Sequence, residues 1–443
     1  MLTDPPDLDR YSADALSPAR VFSGAAVLER MADAVVVPRS VDQVAPVVKL
    51  ASQHRVPIVP YGGGTGVMGA AAPIKGGIVV DMKGLDRIVD INPTDLTATV
   101  EAGVVLEDLA RALKDHGLML GHDPWSVPIA TVAGAISTNG VGYLGASHGP
   151  MGDQVLGLEA VLPSGETLAT RTVPKYSAGP NLNHLFIGSE GVFGIITRAT
   201  LRVWREPEKR AFATMAFADF DRGFEAVAEL FALGLKPSLV DLSEEDGSGV
   251  RLFMMYEGYS EGVNAAEARS LGVCRAFGGK DIGPSETVAY WRTRHRAGES
   301  YKRDMLGQPR RVRWGRHGRS FDYLHVALPT SKVLPFRHEC DGILAAGGAR
   351  AVEYAIWTRP ELFSLLLVPD GDPPEADLRA LGETVDRILV LAQDMGGAME
   401  YCHGVGIKLA HLLSREMGQG FDVARAIKAA LDPYNIMNPG KLY

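Results

Sequence analysis

Residues 56–72 read VPIVPYGGGTGVMGAAA, and the stretch from Tyr61 to Gly69 (YGGGTGVMG) decides how the chain is to be understood. The extended apolar run Val56–Pro60 feeds directly into Tyr61, Gly62, Gly63, Gly64, Thr65 and Gly66. Gly64, Gly66 and Gly69 formally match GxGxxG, the dinucleotide fingerprint. That fingerprint needs a helix immediately afterwards, whose N-terminus receives the pyrophosphate. Here the chain continues AAAPIKGG, with Pro73 and two glycines, and then a strand. A nicotinamide-type Rossmann site is therefore not expected. A more general property survives: residues without side chains let backbone N–H groups close around phosphate oxygens without a helix. The bland alternative is a strand-end loop that binds nothing.

Two later segments share this texture. Pro128–Gly140 (PIATVAGAISTNG) alternates small residues with hydroxyl and amide groups. Such a segment can lie against a planar ring system and offer it hydrogen bonds, or it can be a small-residue helix packed closely on a neighbour. Gly188–Thr197 (GSEGVFGIIT) places a glycine at every third position before running into a strand, again a sign of close backbone approach.

Around these segments, residues 34–200 alternate short strands and helices. Ala34–Pro38, Val56–Pro60, Gly77–Met82 and Leu96–Ala102 read as strands. Ser40–His54 has helical spacing in Val41, Val44, Val47, Val48 and Ala51. Val105–His116 is helical and Gly117 stops it. Val155–Leu162, a Ser164-Gly165 turn and Glu166–Thr170 read as a hairpin, and Ile195–Arg205 as a further strand. The texture changes near Arg205–Lys209, which divides the chain into 1–207, 208–395 and a glycine-rich tail 396–443 ending in DPYNIMNPGKLY.

The chain has 443 residues, 46% hydrophobic and 22% charged, the composition of a globular protein with a sizeable core. A net charge of −8 argues against a general nucleic-acid binder. Cys274, Cys340 and Cys402 are far apart and odd in number, so neither a disulfide framework nor a zinc site is expected, and a reducing cytoplasm fits best. The N-terminus lacks the apolar region of a signal peptide, and no apolar run approaches the ~20 residues of a membrane span. Peripheral membrane contact and homo-oligomerisation are left open.

Taken together and in order, AVVVPRSVDQVAPVVKLASQHRVPIVPYGGGTG, ATVAGAISTNGVG, LGLEAVLPSGE, LFIGSEGVFGIITRATLRV and LDPYNIMNPGKL resemble the vanillyl-alcohol oxidase / p-cresol methylhydroxylase superfamily. Within it the chain is most similar to the branch of glycolate oxidase flavin subunits and D-lactate and D-2-hydroxyglutarate dehydrogenases. The resemblance implies an α+β fold: an FAD-binding domain of two small subdomains (PCMH-type), an antiparallel-sheet cap over the flavin ring, and a C-terminal tail that returns to the FAD domain. It implies FAD as cofactor, with Tyr61, Gly62, Gly63, Gly64, Thr65, Gly66 and Gly69 at the pyrophosphate. Pro128, Thr131, Gly134, Ser137, Asn139 and Gly140 would line the flavin, as would Gly188, Glu190, Gly191, Gly194 and Ile195, with Asn438 and Lys441 close by. Covalent relatives often carry a histidine where this chain has Thr65, so the FAD is expected to be non-covalent.

The same resemblance suggests a chemistry: oxidation of a CH–OH group in a small anionic, 2-hydroxy-acid-like or aromatic alcohol, by hydride transfer to flavin. The electron acceptor is left open between oxygen, a quinone and a carrier protein. Arg294, in Trp291-Arg292-Thr293-Arg294, falls where the branch anchors a carboxylate, a task suited to a guanidinium fork. The surrounding stretch is basic, with Arg292, Arg294, Arg296, Lys302, Arg303, Arg310, Arg311, Arg313, Arg316 and Arg319. It would either draw in an anion or form a solvated or docking surface. Tyr401-Cys402-His403-Gly404 resembles the branch's Glu-His-Gly segment and puts His403 on the base, an apt role for a group with an ordinary pKa of about 6.5, with Tyr401 beside it. His122 and His148 are weaker candidates. The metal-binding motif of metal-dependent members is missing from EYAIWTRPELFSLLLV, and Cys402 stands where their glutamate does, so no metal is expected. Two alternatives remain. One is a non-redox flavoenzyme similar to alkylglycerone-phosphate synthases, whose histidine-rich segment CHGVG-x-K also resembles. The other is a flavin-binding subunit without catalysis.

Overall fold

A computed structural model describes residues 1–17, 25–245, 247–315, 320–371 and 378–443. Three of the four sheets among the described residues organise the chain. In the first, Ile78–Asp81 is flanked by Ala34–Val36 and Ile58–Tyr61, all parallel. Its strands are continuous apolar runs, as expected of parallel strands buried on both faces: Val35, Ile58, Val79 and Val80 have no exposed surface. The second is antiparallel, ordered Ile88–Asn92, Thr97–Glu101, Ile195–Arg202, Val155–Val161, Thr167–Ala169. The expected hairpin forms its edge, with Val161 opposite Thr167.

The helical periodicities hold as well, in Val44–His54 and Leu106–Lys114. Gly117 adopts a left-handed φ of 65°, which ends the second helix as read. No helix follows the Tyr61 strand. The chain turns loosely from Gly62 and re-enters a strand only at Ile78, as Pro73 and the adjoining glycines require.

The third sheet is antiparallel and has seven strands, ordered Lys280–Gly283, Lys209–Phe217, Gly249–Gly258, Leu239–Glu245, Ala349–Trp357, Leu362–Pro369, Asp322–Ala327. Helices Phe220–Ala232, Ser260–Ala276, Thr330–Ala346 and Leu378–Asp394 pack on it through residues such as Phe220, Cys274, Phe336 and Ile388, all fully buried. The tail runs back to the first sheet. Ile58 N–H donates to the Ile436 carbonyl at 2.7 Å, and Asn438 N–H to the Ile58 carbonyl at 2.7 Å.

The basic stretch has a mechanical use that composition does not reveal. Arg310 is 5% exposed. It pairs with Asp9 at 2.9 Å and donates to the carbonyls of Leu28 at 2.9 Å, Glu29 at 3.0 Å and Arg30 at 3.2 Å. Arg313, also buried, donates to the carbonyls of Arg10 at 2.7 Å and Ala13 at 3.3 Å. Arg311 pairs with Glu29, Lys302 with Glu107 and Arg303 with Asp304. These cations fasten the N-terminal segment and its neighbours rather than forming a field for a ligand. Arg316 and Arg319 lie outside the described residues. Breaking a buried, hydrogen-bonded charge pair from one side costs about 3–5 kcal/mol. Arg310→Met is therefore expected to lower the unfolding free energy measured in urea by about that amount, whereas Arg303→Met, at an exposed pair, should leave it within about 1 kcal/mol of the parent.

Candidate active site

One cavity of about 1000 Å³ runs from the glycine loop of the first sheet to the inner face of the seven-stranded sheet. That is the upper end of the range for cofactor and ligand sites. Three distant stretches of chain converge on it.

The loop Gly62–Gly66 closes one end. Asp81 and Lys83 pin it: Lys83 Nζ donates to the Gly62 carbonyl at 3.1 Å and to Asp81 Oδ1 at 2.7 Å. The glycines are required by close approach. A Cβ on Gly63 would lie 2.4 Å from the Ile129 carbonyl oxygen, and one on Gly62 would lie 2.5 Å from Thr131 Oγ1. Among the described residues, no hydrogen bond starts from the N–H of Gly62, Gly63, Gly64, Thr65 or Gly66. Backbone donors of a cavity-lining loop, spent on nothing among the described residues, are what a diphosphate needs.

The second stretch forms a short helix, Val132–Thr138. Thr131 caps it by accepting the Gly134 N–H at 3.3 Å, and Asn139 ends it in the left-handed region. The helical form is thus the one adopted, and it still presents Thr131, Gly134, Ser137, Thr138 and Gly140 to the cavity. The third stretch contributes Glu190, Gly191, Gly194 and Ile195. Glu190 is buried and joins this stretch to the His403 loop: its carboxylate accepts the N–H groups of Val405 at 2.7 Å and Gly406 at 2.9 Å. Burial pushes its pKa up to about 7, against those two donors.

His403 lines the cavity with Cys402. Its ring meets that of His325 edge to face at 4.5 Å, and its buried Nδ1 has no hydrogen-bond partner and lies 3.7 Å from Glu400 Oε1. Glu400 holds the turn in place by accepting the backbone N–H groups of Cys402 at 2.7 Å and His403 at 2.8 Å. Burial opposes a charged imidazole here, but Cys402 and Glu400 outweigh it and His403 is raised to about 10. His122 also lines the cavity and behaves oppositely. Burial without a strong partner lowers it to about 4, so it is neutral at pH 7.

Several residues singled out from the sequence lie elsewhere. Arg294 does not line the cavity. Its guanidinium is held by Asp123 at 2.6 Å and the Trp291 carbonyl at 2.7 Å, and stacks on the Trp291 ring at 3.6 Å. A fork so occupied is not poised to anchor a carboxylate. Gly69 packs beneath Ile407 and Leu16, where its φ of 79° and a Cβ–Ile407 distance of 2.6 Å demand glycine. Pro128 lies against Gly298, and Gly188 has its N–H on the Ile136 carbonyl. The Asn139 side chain accepts the Gly152 N–H. Asn438 donates to the carbonyls of Ala70 at 2.9 Å and Glu190 at 2.7 Å, and Lys441 to that of Ala72 at 2.6 Å. None of these six lines the cavity; they brace its walls from behind, as does Tyr401, whose hydroxyl meets that of Ser364 at 2.8 Å. His148 lies outside too, against Trp204 and Glu257.

Other participants escaped the sequence reading. Asp14, 1% exposed, lines the cavity beside Gly66, with burial raising its pKa. His325, Glu400 and His403 bring donor atoms within 4.8 Å of one another, although no local motif announces them. Two histidines and a carboxylate form a donor set able to hold a divalent ion. Tetrahedral zinc, however, keeps its ligand atoms only about 3.4 Å apart, so this set would have to draw together to close on one.

A backbone cradle with unspent donors, leading to a chamber lined by the half-buried His403, suits an FAD-dependent oxidoreductase. Comparison with known proteins supplies the family. Residues 32–171 match the FAD binding domain and residues 206–442 the C-terminal domain of FAD linked oxidases. The chain belongs to the FAD-linked oxidase family, and its cofactor is FAD. It is similar to the glycolate oxidase subunit GlcD of Bacillus subtilis (28% identity, covering 94% of this chain and 90% of that one). It is also similar to a probable mitochondrial D-lactate dehydrogenase of Danio rerio (29% identity, 93% and 84%). Among solved structures, p-cresol methylhydroxylase with substrate bound aligns with a TM-score of 0.77 at 20% identity, over 100% of this chain and 93% of that one. An alkyldihydroxyacetonephosphate synthase aligns with a TM-score of 0.72 at 20% identity, over 93% and 76%. Among the described residues, no helix is long and apolar enough to cross a membrane.

Proposed function

We propose that this protein oxidises the CH–OH group of a small alcohol, with His403 as the group that accepts the hydroxyl proton. The observation that carries the reading is the position of His403 on the wall of the FAD cavity, its Nδ1 buried without a hydrogen-bond partner. Bound FAD, held non-covalently by Gly62–Gly66 and the two later glycine segments, supplies the acceptor for the hydride. The chain's own residues do the rest. Glu400 fixes the turn that carries His403, and Glu190 ties that turn to the flavin-facing segment. Together they hold the imidazole in place, which is how positioning lowers a barrier. As the carbinol hydrogen leaves with its electron pair, the O–H proton passes to His403 and a carbonyl product forms.

The kind of alcohol is narrowed by what surrounds it. Tyr143, Phe253, Tyr290, Tyr323 and Trp357 line the cap end, and no lysine or arginine does so among the described residues. This favours an aromatic alcohol over an anionic one. It also removes the support that a basic cap would lend to a non-redox reaction on a phosphate ester. The names of the relatives, glycolate oxidase and D-lactate dehydrogenase, keep 2-hydroxy acids in the panel to be tested.

The direct test is anaerobic mixing of the yellow protein with benzyl alcohols and 2-hydroxy acids. A substrate bleaches the flavin band stoichiometrically; a panel that leaves the band intact while product accumulates would sink the oxidation. The pH dependence tests His403. Protonated below its raised pKa, it cannot accept a proton, so the rate of bleaching should climb with pH toward about 10. Glu400→Gln removes one of the groups that raise this pKa, and the rise should then be complete at lower pH. An unmoved profile would separate Glu400 from the proton acceptor.

A further inference from the structure

The cap end of the cavity is one face of the seven-stranded sheet, and its charge is unexpected. Alternation along Leu239–Glu245 turns Asp241 and Glu245 to the same side, and the neighbouring strand sets Trp357 opposite Asp241 and Glu353 opposite Glu245. All four line the cavity. Asp241 Oδ2 accepts the Tyr290 hydroxyl at 2.7 Å, while Oδ1 is buried and accepts nothing. Glu353 Oε2 accepts only the Tyr323 hydroxyl, at 3.2 Å. Among the described residues, no lysine, arginine or histidine pairs with Asp241, Glu245 or Glu353. Arg251, on the same sheet, pairs instead with Glu286 at 3.5 Å.

Carboxylates withdrawn from water are costly unless a cation or several donors meet them. Here burial and mutual repulsion already act: Asp241 is raised to about 6 by burial, and Glu353 to about 7 by burial and by Asp241. Two under-satisfied acids in a cavity walled by aromatic rings match the recognition of an ammonium, which ion-pairs with the acids and is attracted by ring faces. The register also sets the far end of such a ligand. Ser364 lies opposite Ala355 on one side and His325 on the other, and the His325 ring touches that of His403. The row Ser243–Ala355–Ser364–His325 thus crosses the sheet from between Asp241 and Glu245 toward the proton acceptor.

We propose that the substrate of this oxidoreductase is an amino alcohol, its ammonium group held by Asp241 and Glu353 beside Tyr290, Tyr323 and Trp357, and its hydroxyl directed toward His403. The proposal rests on the alcohol-oxidising reading for its hydroxyl and on the cap alone for its charge.

The test uses holoenzyme and a matched trio: 4-(aminomethyl)benzyl alcohol, 4-methylbenzyl alcohol and 4-(hydroxymethyl)benzoate. Binding is read from perturbation of the flavin spectrum, and oxidation from anaerobic bleaching. A charged hydrogen bond lost or gained shifts affinity about 10- to 100-fold, so the cation should bind at least about tenfold tighter than the neutral alcohol and the benzoate should bind worst. Asp241→Asn and Glu353→Gln, near-isosteric changes, should level the trio while leaving the flavin spectrum unchanged. Equal binding of the three, preference for the benzoate, or a cation preference that survives both substitutions overturns the proposal. Preferential binding of the cation with no bleaching by any of the three keeps the charge assignment and removes the oxidation.

Discussion

Gly63→Ala should yield a protein that purifies nearly colourless and takes up added FAD at least about 100-fold more weakly than the parent. The new Cβ would sit 2.4 Å from the Ile129 carbonyl oxygen and 3.0 Å from its carbon, both backbone atoms that cannot rotate away. The loop must therefore lift off the 129–134 segment. Its N–H groups, which have no other partner among the described residues, then lose their aim on the diphosphate. Each hydrogen bond to a charged acceptor contributes about 1.5–3 kcal/mol, and two lost bonds already exceed a hundredfold in Kd. Gly117→Ala is the control. Its φ of 65° makes an alanine there costly by about 1 kcal/mol, yet nothing lies within 4 Å of the new Cβ, so that protein should remain yellow. If Gly63→Ala binds FAD with parental affinity, the loop does not hold the diphosphate.

The second large effect is on turnover. His403→Asn should retain its flavin and lose about 10²–10⁴ in kcat, the range associated with removing a positioned general base. Its KM should change far less, because the aromatic and acidic walls of the cap are untouched. The rival is His122, also on the cavity wall but lowered to about 4 and so a weak base. His122→Asn should therefore cost much less in kcat. The reverse order would transfer the role to His122. The acid limb of the pH profile is a further readout, since it should vanish in His403→Asn and persist in His122→Asn.

Much of the fold was legible because it is written in local periodicities. Period-two and continuous apolar runs marked the strands, three-and-four spacing marked Val44–His54 and Leu106–Lys114, and Pro73 excluded a helix after the glycine loop. The cavity-facing glycines were readable for a related reason: a run of residues without side chains signals close approach wherever it occurs. The residues that went astray share a different property. Arg294 was read from its resemblance to a carboxylate anchor and Arg310 from the charge of its surroundings, yet the partners that consume them, Asp123, Asp9 and the carbonyls of Leu28–Arg30, lie 171 to 301 positions away. Gly69, Asn438 and Lys441 were placed at the cofactor and instead brace its walls, because which side of a loop faces a ligand depends on what packs against the other side.

By itself, then, the order of residues pointed to the class of protein, through its resemblance to a known superfamily. The three glycine stretches and the strand–helix alternation also belong to local backbone physics, which a linear reading can follow, whereas the histidine of the Cys-His-Gly segment was singled out by the resemblance. The tertiary structure alone decided the character of the chamber. It spent Arg310 and Arg313 on the N-terminal segment, joined His325 and Glu400 to His403, and set Asp241 beside Trp357 with no cation among the described residues to answer it. Charge in a polypeptide acts through distance in space, and pairing among residues hundreds of positions apart is fixed only when the sheet register is.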